Sequence, residues 1–284
     1  MPTIHFVDGE KGGVGKSLFC RVMVQYCLDK GYPFTLVEAD RSNPDVGEVY
    51  PDSIEVKDGK KIYHYKQVLF SESERKLYDA DEIFNLALAK SVIVNLPAQV
   101  FTIVNDWTER NSVLDTSFQH GIDICKWFVC TGGYDSVKLF IESVEKFEGK
   151  IQHILVCNLG LQDEWSHVLK REKLEKVVKK YNIKIIELPK FSYPERDYID
   201  EHRLPFAEAR ECNELTILGR QRIHKFLKEA YSNIDKSEVW NKLTKPSRST
   251  SKSSKSNKSN AADNGTAETS TVKGETVGAI TNNS

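Results

Sequence analysis

The sequence predicts an α/β protein with a doubly wound, mainly parallel sheet covered by helices on both faces. Three observations carry that reading. Short β-branched and aromatic runs alternate with segments whose apolar residues recur at helical spacing. Several of the runs are continuously apolar, as in strands buried on both faces. A glycine-rich stretch separates the first run from the first helical segment, completing a strand–loop–helix unit.

In chain order, Ile4–Val7 reads as a strand that stops at Asp8-Gly9. Lys16–Lys30 places Leu18, Phe19, Val22, Met23, Tyr26 and Cys27 near a 3.6-residue period, with Gly31 and Pro33 beyond its end. Phe34–Val37 is the second strand. Ile54–Val56 and Ile62–Tyr65 flank Lys57-Asp58-Gly59-Lys60-Lys61 and predict a hairpin with Asp-Gly in its turn. Asp81–Lys90 predicts a helix, and Ser91–Leu96 a strand of almost unbroken apolar residues. Lys126–Cys130 and Ile154–Cys157 repeat that style, each followed by a helix, Tyr134–Phe147 and Trp165–Tyr181. Ile183–Leu188 is the last strand and Glu214–Tyr231 a closing helix. Such alternation implies right-handed crossovers within one domain, residues 1–235. From Lys245 onward Ser, Thr, Asn, Lys and Gly dominate, and no aromatic residue follows Trp240. Residues 236–284 are therefore expected to form a disordered tail with too little apolar surface to offset the entropy of ordering.

Apolar residues at 39% and aromatics at 10% suffice for a core and exclude a wholly disordered chain. The 40 basic and 41 acidic side chains nearly cancel, but their distribution is uneven. Residues 242–284 hold seven basic and three acidic side chains, which leaves 33 against 38 over residues 1–241. An acidic body is a poor general match for DNA or an anionic membrane. No stretch approaches the ~20 apolar residues of a membrane-spanning helix, and no basic-then-apolar leader opens the chain. A cytoplasmic protein with no membrane span is expected. Cys20, Cys27, Cys125, Cys130, Cys157 and Cys212 show no CxxC spacing and read as buried, reduced thiols. The histidines are dispersed, without zinc spacing.

The strong chemical signal is Gly9-Glu10-Lys11-Gly12-Gly13-Val14-Gly15-Lys16-Ser17. Glycines let backbone N–H groups approach phosphate oxygens without Cβ interference, and the following helix directs its positive end at the same anion. Lys16 would neutralise the β- and γ-phosphates, and the Ser17 hydroxyl would reach Mg²⁺. A strict GxxxxGK[ST] match begins at Glu10 rather than a glycine, and a second lysine stands at position 11.

That departure resembles the deviant Walker A box of the ParA/MinD-like P-loop ATPases, a family with plasmid-partition, division-site, nitrogenase iron-protein and conjugative-mobilisation members. The resemblance runs through most of residues 1–232 in motif order rather than in close identity, and it implies the P-loop NTPase fold. It implies that Gly12, Gly13, Val14, Gly15, Lys16, Ser17 and Leu18 bind the nucleotide. It also implies that Lys11 reaches the phosphates of a partner copy, which makes the homodimer ATP-dependent. Glu38-Ala39-Asp40 is similar to the first switch: Asp40 matches the carboxylate that orients the attacking water, and Glu38 the first acidic residue. Ser91–Leu96 followed by Pro97 resembles the Walker B strand, but its acidic position is Asn95. The metal set implied is therefore Ser17, Glu38, Asp40 and Asn95. Losing one charge there weakens metal binding, since unit charges ~4 Å apart interact by about 4 kcal/mol at an effective dielectric of 20; slow hydrolysis is expected. Asn158 matches the amide set against adenine, and Pro189 the late nucleotide-edge loop. No Lys-x-Asp follows Asn158, so ATP is expected rather than GTP. A plain structural role stands beside each of these: turn residue for Asp40, loop cap for Asn158, strand terminator for Pro189, and a place outside the site for Asn95.

The function expected is an ATP-driven switch with ATPase activity, acting in plasmid or DNA partition, mobilisation or positioning through a protein partner. Nonspecific DNA contact would come through Lys242, Lys245, Arg248, Lys252, Lys255 and Lys258, a run with no acid among them. Two alternatives remain: an ATP-dependent small-molecule enzyme of the same P-loop group, for which no second-substrate constellation is visible, and a MinD-like membrane-positioning ATPase, which the Thr, Asn and Ser at the chain's end disfavour.

Overall fold

The computed structural model describes residues 1–240 except positions 10, 58, 59, 72, 74, 75 and 77. From position 241 on, the predicted tail and its basic run lie outside the described residues, as do Glu10 and the Asp58-Gly59 turn. The strands are β1 (Thr3–Asp8), β2 (Phe34–Glu38), β3 (Ser53–Lys57), β4 (Lys60–His64), β5 (Ser91–Asn95), β6 (Asp123–Cys130), β7 (Gln152–Asn158) and β8 (Lys184–Leu188). Six of them form one sheet in the order β2-β5-β1-β6-β7-β8, with every neighbouring pair parallel. β3 and β4 make the predicted hairpin, Ile54 opposite Tyr63 and Lys57 opposite Lys60.

Alternation along the buried strands divides the core between two faces. Val7, Ile93, Trp127 and Val156 point to one side, against α1 (Lys16–Lys30). Ile4, Phe6, Val92 and Val94 point to the other, where α2 (Asp81–Ala87) and α3 (Phe101–Arg110) pack. Further along that second face Phe128 and Leu155 meet Phe140 and Val144; α4 (Val113–Gln119) precedes β6 and α5 (Tyr134–Phe147) follows it. The sheet is thus doubly wound, as its unbroken apolar runs predict. Burying each large apolar side chain contributes about 1.5–3 kcal/mol, which makes these two faces the main source of stability.

The remaining helices refine the expected order. The predicted helix Trp165–Tyr181 is two helices, α6 (Ser166–Leu169) and α7 (Glu172–Lys180), because Arg171 between them is extended at φ −61° and ψ 123°. α8 (Tyr193–His202) and α9 (Phe206–Glu211) were not expected, nor were α3 and α4. The closing helix, α10 (Ile217–Lys236), starts where the Thr216 hydroxyl accepts the Gly219 N–H at 3.0 Å. Beyond it Ser237, Val239 and Trp240 are buried. The Trp240 ring stacks 4.3 Å from His5 and 5.5 Å from Tyr32, so the packed body runs past the expected boundary at 235. Burial pushes the thiols of Cys27 and Cys157 well above their usual range, as small apolar roles require. No described helix is long and apolar enough to cross a membrane.

Candidate nucleotide site

The carboxyl ends of β1, β2, β5 and β7 bring Asp8, Glu38, Asn95 and Asn158 to one edge of the sheet. β1 lies at the centre of that edge, where the chain has turned first to one side and later to the other; open α/β sheets bind ligands at such a switch point.

The loop after β1 adopts left-handed backbone at Gly13 (φ 75°) and Gly15 (φ 99°), which L side chains rarely tolerate. A Cβ on Gly15 would also stand 2.6 Å from Asn158 Nδ2. No side chain caps α1, and its first turn holds no acid, so its first N–H groups and positive end are directed at the loop. Lys16 is buried and its Nζ donates to the Lys11 carbonyl at 3.0 Å, which folds the cation back along the loop. Lys11 is exposed, its Nζ 2.7 Å from Asp135 Oδ2 at the start of α5. That ammonium holds the Asp135 carboxyl below the usual range, but water screens such a pair and makes it easy to exchange.

Glu38 and Asn95 stand side by side in the β2–β5 register, and the Asn95 amide donates to Glu38 Oε1 at 2.8 Å. Asp40 N–H donates to the same oxygen at 3.0 Å, while Val46 and Gly47 N–H donate to Oε2 at 3.2 and 3.1 Å. Glu38 is fully buried, and desolvation pushes its carboxyl up to about 7 even though all four hydrogen bonds favour the charged form. Its position makes it a brace for the 40–47 loop. Asp40 is half-buried and accepts the N–H groups of Ser42 and Asn43 at 3.1 and 3.0 Å. Asn95 Oδ1 is buried with no hydrogen-bond partner among the described residues.

On the other side, Asn158 Nδ2 donates to the Val14 carbonyl at 2.8 Å, and its Oδ1 accepts the Gly160 N–H at 2.9 Å. It thereby ties β7 to the loop. Gly13, Gly15, Ser17, Leu18, Asn158 and Pro189 line a common cavity of about 960 Å³. Gly12 is exposed on the loop and Val14 buried beneath it. Sequence reasoning did not single out Asp135 or the buried ion pair of Asp8 with Lys126 (2.7 Å). A lone lysine within the apolar strand around Trp127 and an acid closing β1 were the available signals.

No protein-family model matches the chain. Protein TraL of Escherichia coli is 24% identical over 255 residues, 84% of this chain and 100% of that protein. Protein MobD of Acidithiobacillus ferrooxidans is 45% identical over 53 residues, 19% of this chain and 23% of MobD's length. The solved MinC:MinD cell division protein complex of Aquifex aeolicus matches with a TM-score of 0.46 at 14% identity, over 80% of this chain and 95% of that one. With a parallel sheet in this strand order and Lys11-Gly12-Gly13-Val14-Gly15-Lys16-Ser17 in the loop and helix start that follow β1, the chain has the P-loop NTPase fold and is similar to the ParA/MinD-like ATPases.

Proposed function

We propose that the chain binds ATP with Mg²⁺ at this loop and works as a slowly hydrolysing dimerisation switch. Its setting would be the partition, mobilisation or positioning of plasmid DNA through a protein partner. The carrying observation is the loop itself: left-handed Gly13 and Gly15 and the uncapped start of α1 line one cavity edge, while Lys16 folds back along the loop onto the Lys11 carbonyl. ATP rather than ADP as the working ligand, and the plasmid setting, rest on the family resemblance.

The residues present fit a magnesium nucleotide. Ser17 lies at the cavity and would offer its hydroxyl to the ion. The orphaned Asn95 Oδ1 is an acceptor that a metal-bound water would satisfy. Bound Mg²⁺ would neutralise phosphate charge. Asp40, half-buried two residues beyond the end of β2, is the carboxylate assigned to the attacking water. Slow turnover is supported by the amide at position 95 and by Glu38, whose oxygens are already taken up by four donors. Lys11 is assigned to the partner's phosphates; its exposed, exchangeable contact with Asp135 suits a side chain that changes partner.

Sedimentation with ATP and Mg²⁺ tests this reading. Wild type should shift toward dimer, Lys16→Ala should lose the nucleotide, and Lys11→Ala should bind ATP yet dimerise poorly. A Lys11→Ala variant that dimerises as well as wild type would end the cross-subunit role. Calorimetry without heat from any nucleoside triphosphate would end the reading altogether.

A further inference from the structure

Beneath the phosphate loop sits a buried ion pair with no place in the function proposed so far. Lys126 of β6 is opposite Phe6 of β1, and Asp8 lies two residues further along the same strand face. The lysine stem spans that step of about 6.6 Å and brings Nζ to 2.7 Å from Asp8 Oδ2, with both side chains 1% exposed. Three other groups fix the ammonium: it donates to Ser143 Oγ of α5 at 3.1 Å and lies 5.1 and 5.5 Å from the ring centres of Phe101 and Phe147.

Asp8 spends its other oxygen on the loop. Oδ1 accepts the Gly9 N–H at 2.6 Å, which fixes the first peptide beyond the strand. The chain is tightly threaded there: a Cβ on Gly9 would stand 2.7 Å from the Val129 carbonyl and 2.7 Å from a Val14 methyl. A carboxylate is a strong acceptor for that N–H, but an uncompensated negative charge at the root of an anion site opposes the ligand.

We propose that Lys126 is a positioning residue of the nucleotide site, neutralising Asp8 and holding it on the Gly9 N–H so that the loop is anchored without net negative charge beneath the phosphates. The inference rests on the nucleotide reading above and assigns this pair a role that the loop motif does not contain. It also gives a reason for a charge pair in a place where apolar residues would be as stable or more so.

Calorimetry of ATP and ADP binding to the full chain at fixed salt tests it. Lys126→Met removes the Lys126 charge from beside Asp8 and should weaken ATP by about tenfold or more and ADP by less, because the repulsion grows with ligand charge. Asp8→Asn/Lys126→Met keeps a neutral acceptor for Gly9 and should return ATP affinity to within about threefold of wild type. Unchanged affinity in Lys126→Met overturns the proposal; so do equal losses for both nucleotides that the double variant does not recover, since those mark a purely structural role. If Lys126→Met does not fold, Asp8→Asn decides: it leaves the cation alone beneath the loop and should raise the ATP-to-ADP affinity ratio by about threefold, and an unchanged ratio overturns the proposal. A wild-type chain that takes up neither nucleotide sinks the underlying reading instead.

Discussion

Glu38 is a carboxylate with four donors around it and no exposure, and the two facts pull its protonation in opposite directions. Desolvation wins, moving the carboxyl from 4.5 to about 7. A folded state that keeps a proton which the unfolded chain releases loses stability as pH rises. This contribution is therefore intact below about pH 4.5 and is lost progressively until about pH 7, with a ceiling of ~3 kcal/mol. Urea unfolding of wild type at about pH 5 and pH 8 should show the drop, and Glu38→Gln should flatten it. A slope that persists in Glu38→Gln would place the titrating group elsewhere. The position was legible in the sequence as the acid ending the second strand, but its burial was not. Burial comes from the 40–47 loop folding back onto it and from the Lys66–Val68 segment, whose backbone pairs with Glu38, and neither arrangement has a local signature.

The ends of β2 and β5 act together. Their register places Glu38 against Asn95, so the two positions proposed for the metal side of the site form one amide–carboxylate pair. A charge at position 95 therefore has to be considered with the charge already present at 38. Asn95→Asp alone would set two carboxylates against each other in a buried place, and one would hold a proton. Glu38→Gln/Asn95→Asp moves the single charge to β5 and should raise ATP turnover by roughly tenfold, about 1.4 kcal/mol in the barrier. Phosphate release at saturating ATP measures this; a double variant no faster than wild type argues against position 95 as the determinant of the slow hydrolysis proposed above. Elements of this kind were readable because the buried strands carry continuous apolar runs and the fifteen-residue α1 is long, buried from Phe19 to Cys27 and stopped by the left-handed Gly31. The short helices were not. α9 has six residues and buries only Phe206 and Ala209, too few to define a period. α8 did carry a start signal in Pro194 within its first turn, and Arg171 split the predicted Trp165–Tyr181 helix through a backbone angle that no apolar pattern encodes.

For the whole molecule the relevant quantity is where charge accumulates. The body, residues 1–241, carries 33 basic and 38 acidic side chains, whereas residues 242–284 carry seven and three. Long-range steering toward a nucleic acid would therefore have to come from the segment after the fold, since the body as a whole repels polyphosphate beyond its loop. The proposed phosphate site does not contradict this, because attraction there would be local, built from backbone N–H groups and Lys16 rather than from net charge. The two regions are thus expected to respond differently to salt. Deleting residues 245–284 should cut retention of the protein on double-stranded DNA at low salt and flatten its salt dependence, by a log–log slope of roughly 0.9 for each DNA phosphate no longer neutralised. Nucleotide binding by the same truncated chain should stay within about twofold of wild type. Equal DNA retention by the two chains would remove the segment from any role in DNA binding and leave that task to a partner protein, while a parallel drop in nucleotide binding would mean that the segment supports the fold itself.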